Sequence, residues 1–493
     1  MPGVISHKRI IINAVSAAVQ VIVVGLMYFL LYRYLIRILG PAQLGVWALV
    51  VSTSSIANFA NFGITSGLVK FVADYRETSD NERMNKLIFT AFVSILLFFA
   101  ILIFIGYLGV NLILRLVIGP QYIGLALRLL PYSLLCLFIN EVGGIYTSIL
   151  EGFQKNYVRN IIYICGSICF LVISYQLVPR YGLMGVTYAQ VIQSALIFLS
   201  AFIAGTLNLK GFTLLKWNWD RQIFKSLISY GSKFQLVSLL QLLYEPATKM
   251  LLTSFGGLSA VGYYEMASRL INQVRALIVN ANQVMIPVVA QASHSGMDAV
   301  VKLYQRTMSV TLLVNVPAIC AVISFSSFIS VIWIGHIEPA FIFPLVILSV
   351  TIFFNIMCGP AYYSSLGQGK LNLLVYVHVF MAALNIILGW ILGKLFGGHG
   401  VVLAWGLTFT LGSLALIIYF QRDMLIGFTR VFSKADWTLL FTAIIFTVFA
   451  VFINVNYTKT KVIITLLTFA VVFIPLLWSN DNAKAIFRKA LNV

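Results

Sequence analysis

Residues 11–50 read IINAVSAAVQVIVVGLMYFLLYRYLIRILGPAQLGVWALV, and their reading decides the fold class. From Ile11 to Ile36 the only charge is Arg33. A hydrocarbon core about 30 Å thick is crossed by about 20 residues of α-helix, so this run is long enough to span a membrane. Gly40-Pro41 then punctuates the chain, and a second apolar run opens at Leu44. Two spans joined by a tight turn predict a polytopic α-helical membrane protein.

Working outward, the 493 residues contain about fourteen such runs: 11–36, 44–69, 87–114, 125–150, 160–179, 183–205, 227–254, 262–291, 308–334, 341–365, 372–396, 400–421, 438–454 and 461–479. The composition agrees, with 60% hydrophobic and 10% charged residues and a mean hydropathy of +0.97; soluble domains carry about 25% charged residues. The 33 Lys and Arg against 14 Asp and Glu give +19. Scattered through short loops between apolar runs, this charge speaks for membrane orientation and anionic headgroups, and against a nucleic-acid partner. Most of it, including Lys8, Arg9, Lys70, Arg76, Lys484 and Lys489, falls on one side, which predicts cytoplasmic N- and C-termini. Trp217, Trp219, Trp333, Trp437 and Trp478 lie near span ends, where an aromatic belt is expected. The N-terminal run shows no small-residue cleavage site and is expected to be a first span. All five cysteines lie inside apolar runs, so no disulfide framework is expected.

A shift of about 216 residues aligns landmarks in the same order, as in transporters built from repeats. Arg37-Ile-Leu-Gly-Pro falls on Thr253-Ser-Phe-Gly-Gly, Leu114-Arg-Leu-Val-Ile-Gly-Pro on Ser330-Val-Ile-Trp-Ile-Gly-His, and Gly182-Leu-Met-Gly on Gly397-Gly-His-Gly. Each unit holds an even number of spans, so the repeat is parallel. The expected organisation is a six-helix lobe over 1–208, a cytoplasmic connector over 209–225, a second six-helix lobe over 226–421, and an extra helix pair with a tail over 422–493.

With this architecture, the segments Arg-Ile-Leu-Gly-Pro-Ala-Gln-Leu-Gly-Val-Trp from Arg37, Asn-Phe-Gly-Ile-Thr-Ser-Gly-Leu-Val-Lys-Phe from Asn61, and Leu-Glu-Gly-Phe-Gln-Lys from Leu150 resemble the polysaccharide transporters of the multidrug/oligosaccharidyl-lipid/polysaccharide (MOP) superfamily, the Wzx-type flippases. The resemblance covers nearly the whole chain but contains no catalytic signature. It implies a multi-pass protein of the bacterial inner membrane that moves undecaprenyl-pyrophosphate-linked oligosaccharide units (O-antigen, capsule or exopolysaccharide) to the outer leaflet by alternating access. Its implied partners are the lipid-linked glycan, membrane lipids, and polysaccharide polymerase and assembly proteins, with a single chain as the working unit and no cofactor. Related lipid II flippases also have fourteen spans, so that alternative stays open.

Ionisable residues within spans are costly and mark candidate sites. Arg33, which the repeat aligns with Lys249, and Arg275 are the candidate contacts for an anionic substrate, with snorkelling to headgroups as the alternative for Arg33. Asn58 and Asn61, one turn apart, and Lys70 complete the candidate substrate set. Glu245/Lys249 and Glu265/Arg269 are spaced i, i+4 with the acid first, the order that favours ion pairing; Glu265 and Arg269 are read as a structural pair. Glu141 and Glu245 are the candidate ion-coupling acids, and Pro246 is the candidate hinge. No metal site, phosphate loop or nucleophile elbow is present in the sequence, so no catalytic residue is expected. A cation-coupled drug exporter of the same fold is disfavoured, because no acid precedes Asp74. A polytopic polymerase or ligase is disfavoured by the shortness of the outer loops.

Overall fold

The structure, a computed structural model, describes residues 7–56, 63–209, 218–283, 289, 296–368, 371–427, 431–454 and 458–479. Among these residues it is all-helical with no strand. The helices are α1 (His7–Ser54), α2 (Ile64–Glu77), α3 (Asn81–Val117), α4 (Pro120–Gly152), α5 (Asn156–Tyr181), α6 (Leu183–Thr206) and α7 (Arg221–Gln283). They continue as α8 (Met297–Ser324), α9 (Ser326–Trp333), α10 (Pro339–Gly367), α11 (Leu371–Asp423), α12 (Lys434–Asn454) and α13 (Lys459–Ser479).

Three of these elements are two helices joined at one glycine: α1 breaks at Gly40, α7 at Gly257 and α11 at Gly397. Each break separates two expected spans, and nearly all the described residues of the fourteen runs are helical; residues 57–62 of the second run and 284–288 and 290–291 of the eighth lie outside the described residues. Nine helices among the described residues are long and apolar enough to cross a membrane; the polar α7 is not one of them. The ninth expected span, 308–334, is divided, with α8 ending at Ser324 and the short α9 following.

The breaks share a backbone solution. Gly40 adopts φ 76°, ψ 170° and Gly257 φ 78°, ψ 171°. This left-handed region costs a residue with a Cβ about 1–2 kcal/mol, which is why glycine stands at both turns. Gly182, between α5 and α6, and Gly397 likewise agree, at φ 55°, ψ −134° and φ 62°, ψ −144°.

The chain divides into two compact units, Met1–Gly262 and Tyr263–Val493. In the first, α4 packs on α6, α5 on α6 and α1, and α2 on α3 and α4. Its core joins Leu68 and Val72 of α2, Ile88 and Ile95 of α3, and Tyr146 and Ile149 of α4. On α3 the residues Ile101, Phe104, Leu108 and Leu112 are exposed at helical spacing. Such a stripe suits contact with acyl chains, which are as apolar as leucine. The start of α7 belongs to this unit, where it buries Leu227 in the same core, and further along α7 makes one close crossing with α1. A Cβ on Gly45 would stand 1.9 Å from the Leu258 carbonyl oxygen, and one on Gly262 would stand 2.1 Å from the Pro41 carbonyl oxygen. Only two glycines let the backbones meet there.

In the second unit, α10 packs on α11 and α8, and α12 on α8 and α13. The buried Asp436 of α12 accepts hydrogen bonds from Ser309 of α8 and from Ser433 at its own helix start, and Phe446 of α12 packs on Phe469 and Phe473 of α13. Trp219 and Trp478 are exposed and Trp437 half-buried, whereas Trp333 is buried edge-on against Phe341 at 5.7 Å. Trp333 therefore serves packing and not the aromatic belt. Trp217 lies outside the described residues.

Candidate functional site

A cavity of about 620 Å³ opens in the first unit. One wall is a single stripe of α4: Asn140, Glu141, Gly144, Thr147, Ser148 and Glu151. The intervals of three and four residues place them on one face of the helix. Thr65 and Val69, one turn apart on α2, and Tyr163 of α5 complete the lining. Glu151 is bonded by the Arg159 guanidinium across the α4–α5 turn, and Thr147 Oγ1 donates to the Gly144 carbonyl at 3.0 Å. The opposite side of α4 buries Val142, Ile145, Tyr146 and Ile149, so packing fixes the rotation that aims the polar stripe at the cavity. Of this set the sequence reading singled out Glu141 alone. The missed signal was the periodicity of modest polar residues along a membrane helix.

Three cations of α7 fall into two kinds. Lys249 is only 2% exposed; its Nζ donates to Glu245 Oε1 at 2.6 Å and lies 3.5 Å from the Ala48 carbonyl oxygen of α1. Glu245 is 54% exposed. The Arg269 guanidinium, 44% exposed, donates to the buried Glu265 at 2.7 Å. Both acids thus meet the base one turn on, as the i, i+4 spacing predicts. Arg275 differs. Its Nε donates to the amide oxygen of Asn355 on α10 at 2.7 Å, and it makes no ion pair among the described residues. The amide fixes one edge of the guanidinium without cancelling its charge. Tyr362 and Tyr363 of α10 are its electrostatic neighbours, and the Tyr362 ring lies 6.3 Å from the buried His378. Asn355 was not foreseen from sequence.

Arg33 is half-buried on α1, and Arg37 is exposed before the Gly40 break. Lys70 is exposed on α2, its ammonium 4.5 Å from the Tyr230 ring centre and 5.4 Å from that of Phe71, cation–π contacts that hold the charge without neutralising it. Asn58 and Asn61 lie outside the described residues. Ser52 and Thr53 donate to the Leu49 carbonyl, and Ser55 to that of Ser52, so these hydroxyls are satisfied within their own helix. Pro246 is buried inside α7, and the break in that helix falls later, at Gly257. Among the described residues no group of three or more His, Cys, Asp or Glu is placed to hold a metal.

The same fold occurs in solved transporters. The lipid II flippase MurJ in an inward closed conformation superposes with a TM-score of 0.74 at 15% identity, covering 98% of this chain and all of that one. An inward-facing MATE family multidrug resistance transporter of the MOP superfamily gives 0.73 at 16% identity, covering 83% of this chain and 98% of that one. The chain therefore has the multi-pass, all-helical fold of these MOP superfamily structures. The family described as polysaccharide biosynthesis protein matches residues 11–293, and the chain belongs to that family. A putative O-antigen transporter of Shigella flexneri is 20% identical over 411 residues, 79% of this chain and 92% of that protein. The relatives named here are transporters and a flippase, with no catalyst among them.

Proposed function

We propose that the protein is a flippase that carries oligosaccharide units linked through pyrophosphate to undecaprenyl from the cytoplasmic to the outer leaflet of a bacterial inner membrane. Arg275 carries this reading: a cation on α7 beyond the Gly257 break, positioned by the neutral Asn355 and left with its charge available. A buried pyrophosphate needs such a partner, because leaving water without compensating charge is prohibitive, and a guanidinium offers it a bidentate fork. Arg33 and Lys70 supply further positive charge, whereas Lys249 is engaged by Glu245.

In this reading both termini are cytoplasmic, as the placement of Lys and Arg favours. The working parts are two parallel six-helix repeats, 1–208 and 226–421, with 422–493 appended. The matched backbone angles at Gly40 and Gly257, and at Gly182 and Gly397, support that division. Ion coupling is assigned to Glu141, which faces the cavity, ahead of Glu245, which Lys249 holds. The polysaccharide polymerase and assembly proteins are its functional partners. The test is complementation. In a strain deleted for this gene, the native chain restores surface glycan and Arg275→Ala does not, although it reaches the membrane. Full restoration by Arg275→Ala refutes the reading.

A further inference from the structure

We infer that α1 is strapped to α5 at both ends of its contact, through Asn13 and Tyr34, and moves with α5 as one body when the protein changes conformation. The inference rests on the flippase reading only in supposing that a transport cycle exists.

The first strap is a helix cap supplied from another helix. An α-helix begins with backbone N–H groups that have no partner in their own helix, and Lys155, the N-cap residue of α5, gives them no side-chain bond. Asn13 of α1 does so instead. Its Oδ1 accepts from the Tyr157 N–H at 3.1 Å, while its Nδ2 donates to the Gln154 carbonyl at 3.2 Å. Gln154 itself stands in the left-handed region at φ 57°, within the turn between α4 and α5. One helical turn further along, the fully buried Asn160 donates to Ser16 Oγ at 2.9 Å, and Ser16 donates to the Asn13 carbonyl at 3.0 Å. Parting α1 from α5 would break the cap and the Asn160 bond together, which is costly where water does not replace them.

The second strap is aromatic. The Tyr34 and Tyr175 rings stack with centres 4.0 Å apart, and Tyr34 Oη donates to the Tyr175 carbonyl at 3.3 Å. Between the straps Tyr28 packs edge-on against Phe170 at 6.3 Å, and Met27, Leu31, Ser167 and Leu171 line one narrow seam. The sequence separation of bonded partners is 144 at Asn13 and Ser16 and 141 at Tyr34, so the helices run side by side in nearly constant register. Another face of α1 exposes Val15, Val19, Ile22 and Leu26, at the spacing of a lipid-facing stripe. Helices kink at proline, at Gly/Ser pairs or where the hydrogen-bond ladder is interrupted. The non-helical residue of α1 is Gly40, followed by Pro41, and both lie beyond Tyr34. Bending of α1 is therefore assigned to the Gly40 break, and Arg33, the residue before Tyr34, keeps its place beside α5.

The test uses the full chain with its five native cysteines replaced by alanine, reconstituted in liposomes with pyrophosphate-linked glycan lipid. Ser16→Cys/Asn160→Cys and Tyr34→Cys/Tyr175→Cys are bridged, separately and together, by a short thiol reagent that reduction cleaves. Bridged protein should flip lipid within about twofold of the same protein after reduction, because the bridge joins helices that stay together through the cycle. A larger fall that reduction reverses overturns the strap. Spin labels at Ile22→Cys and Ile168→Cys, both exposed, give a second measure that alters none of the strap residues and needs no transport. Pulsed EPR in nanodiscs should show one narrow distance distribution, with and without the glycan lipid. A second, longer distance in either sample overturns the strap, even if the bridged variants fail to fold. Native protein that flips no lipid while the distance stays single would refute the flippase reading alone.

Discussion

Lys249 precedes the Gly257 break in α7 and Arg275 follows it, and the two differ in what answers their charge. For Lys249 it is a carboxylate, and the pair is half open to its surroundings, with Glu245 54% and Lys249 2% exposed. Glu245→Gln leaves the buried ammonium without its counter-charge. Breaking a fully buried pair costs about 3–5 kcal/mol, and the exposure of Glu245 lowers the expected loss to about 1–2 kcal/mol. Thermal unfolding in detergent should show Glu245→Gln less stable than the double variant Glu245→Gln/Lys249→Met, in which no orphan charge remains; the reverse order would contradict the pairing. For Arg275 the answering group is neutral. Asn355→Asp keeps the hydrogen bond and cancels the charge, so it should preserve the unfolding temperature and abolish glycan transport, whereas a merely structural Arg275 would work as well beside Asp. Glu141 makes a third case. A carboxylate facing a cavity can exchange protons, and Gln keeps its shape without titrating. Reconstituted Glu141→Gln should move substrate down its gradient yet ignore an imposed pH difference; an unchanged pH response would assign Glu141 to structure.

At the scale of elements, glycines set how helices break and how closely they cross. Gly45 and Gly262 sit where α1 and α7 meet backbone to backbone, and a methyl on either would overlap a carbonyl of the other helix. Overpacking of this kind costs about 1–3 kcal/mol. Gly45→Ala and Gly262→Ala should each lower the unfolding temperature. Their combination should fall short of the sum, since the first already parts the helices. Gly109→Ala, on α3 with nothing within 4 Å of its Cβ, is the neutral control. Equal effects at Gly45 and Gly109 would show that the crossing is loose. Spans and breaks were legible in the sequence because a bilayer demands about 20 apolar residues per crossing, and Gly40-Pro41 can hardly be read as anything but a turn. The face of α4 was less legible. Asn140, Thr147 and Ser148 are individually unremarkable in a membrane helix, and only their register with Glu141 and Glu151 gives them meaning. Asn355 was beyond reach, since its partner lies on another helix and no local spacing links them. Trp333 misled because proximity to a span end does not say whether a ring faces lipid or core.

For the whole molecule, apolar helices fix the class, the family match over 11–293 fixes the kin, and the substrate depends on a few polar groups in a chain with 10% charged residues. The central claim is that this chain moves a pyrophosphate-linked glycan lipid across a bilayer by means of Arg275. The most direct measurement reconstitutes the purified protein in liposomes carrying fluorescent undecaprenyl-pyrophosphate-linked oligosaccharide and follows the fraction of label accessible to an added quencher over time. Native protein should make the inner-leaflet label accessible well above the rate in empty liposomes, while Arg275→Ala, equally incorporated, should stay at that background. Native protein no faster than empty liposomes, or Arg275→Ala as fast as native, would contradict the account.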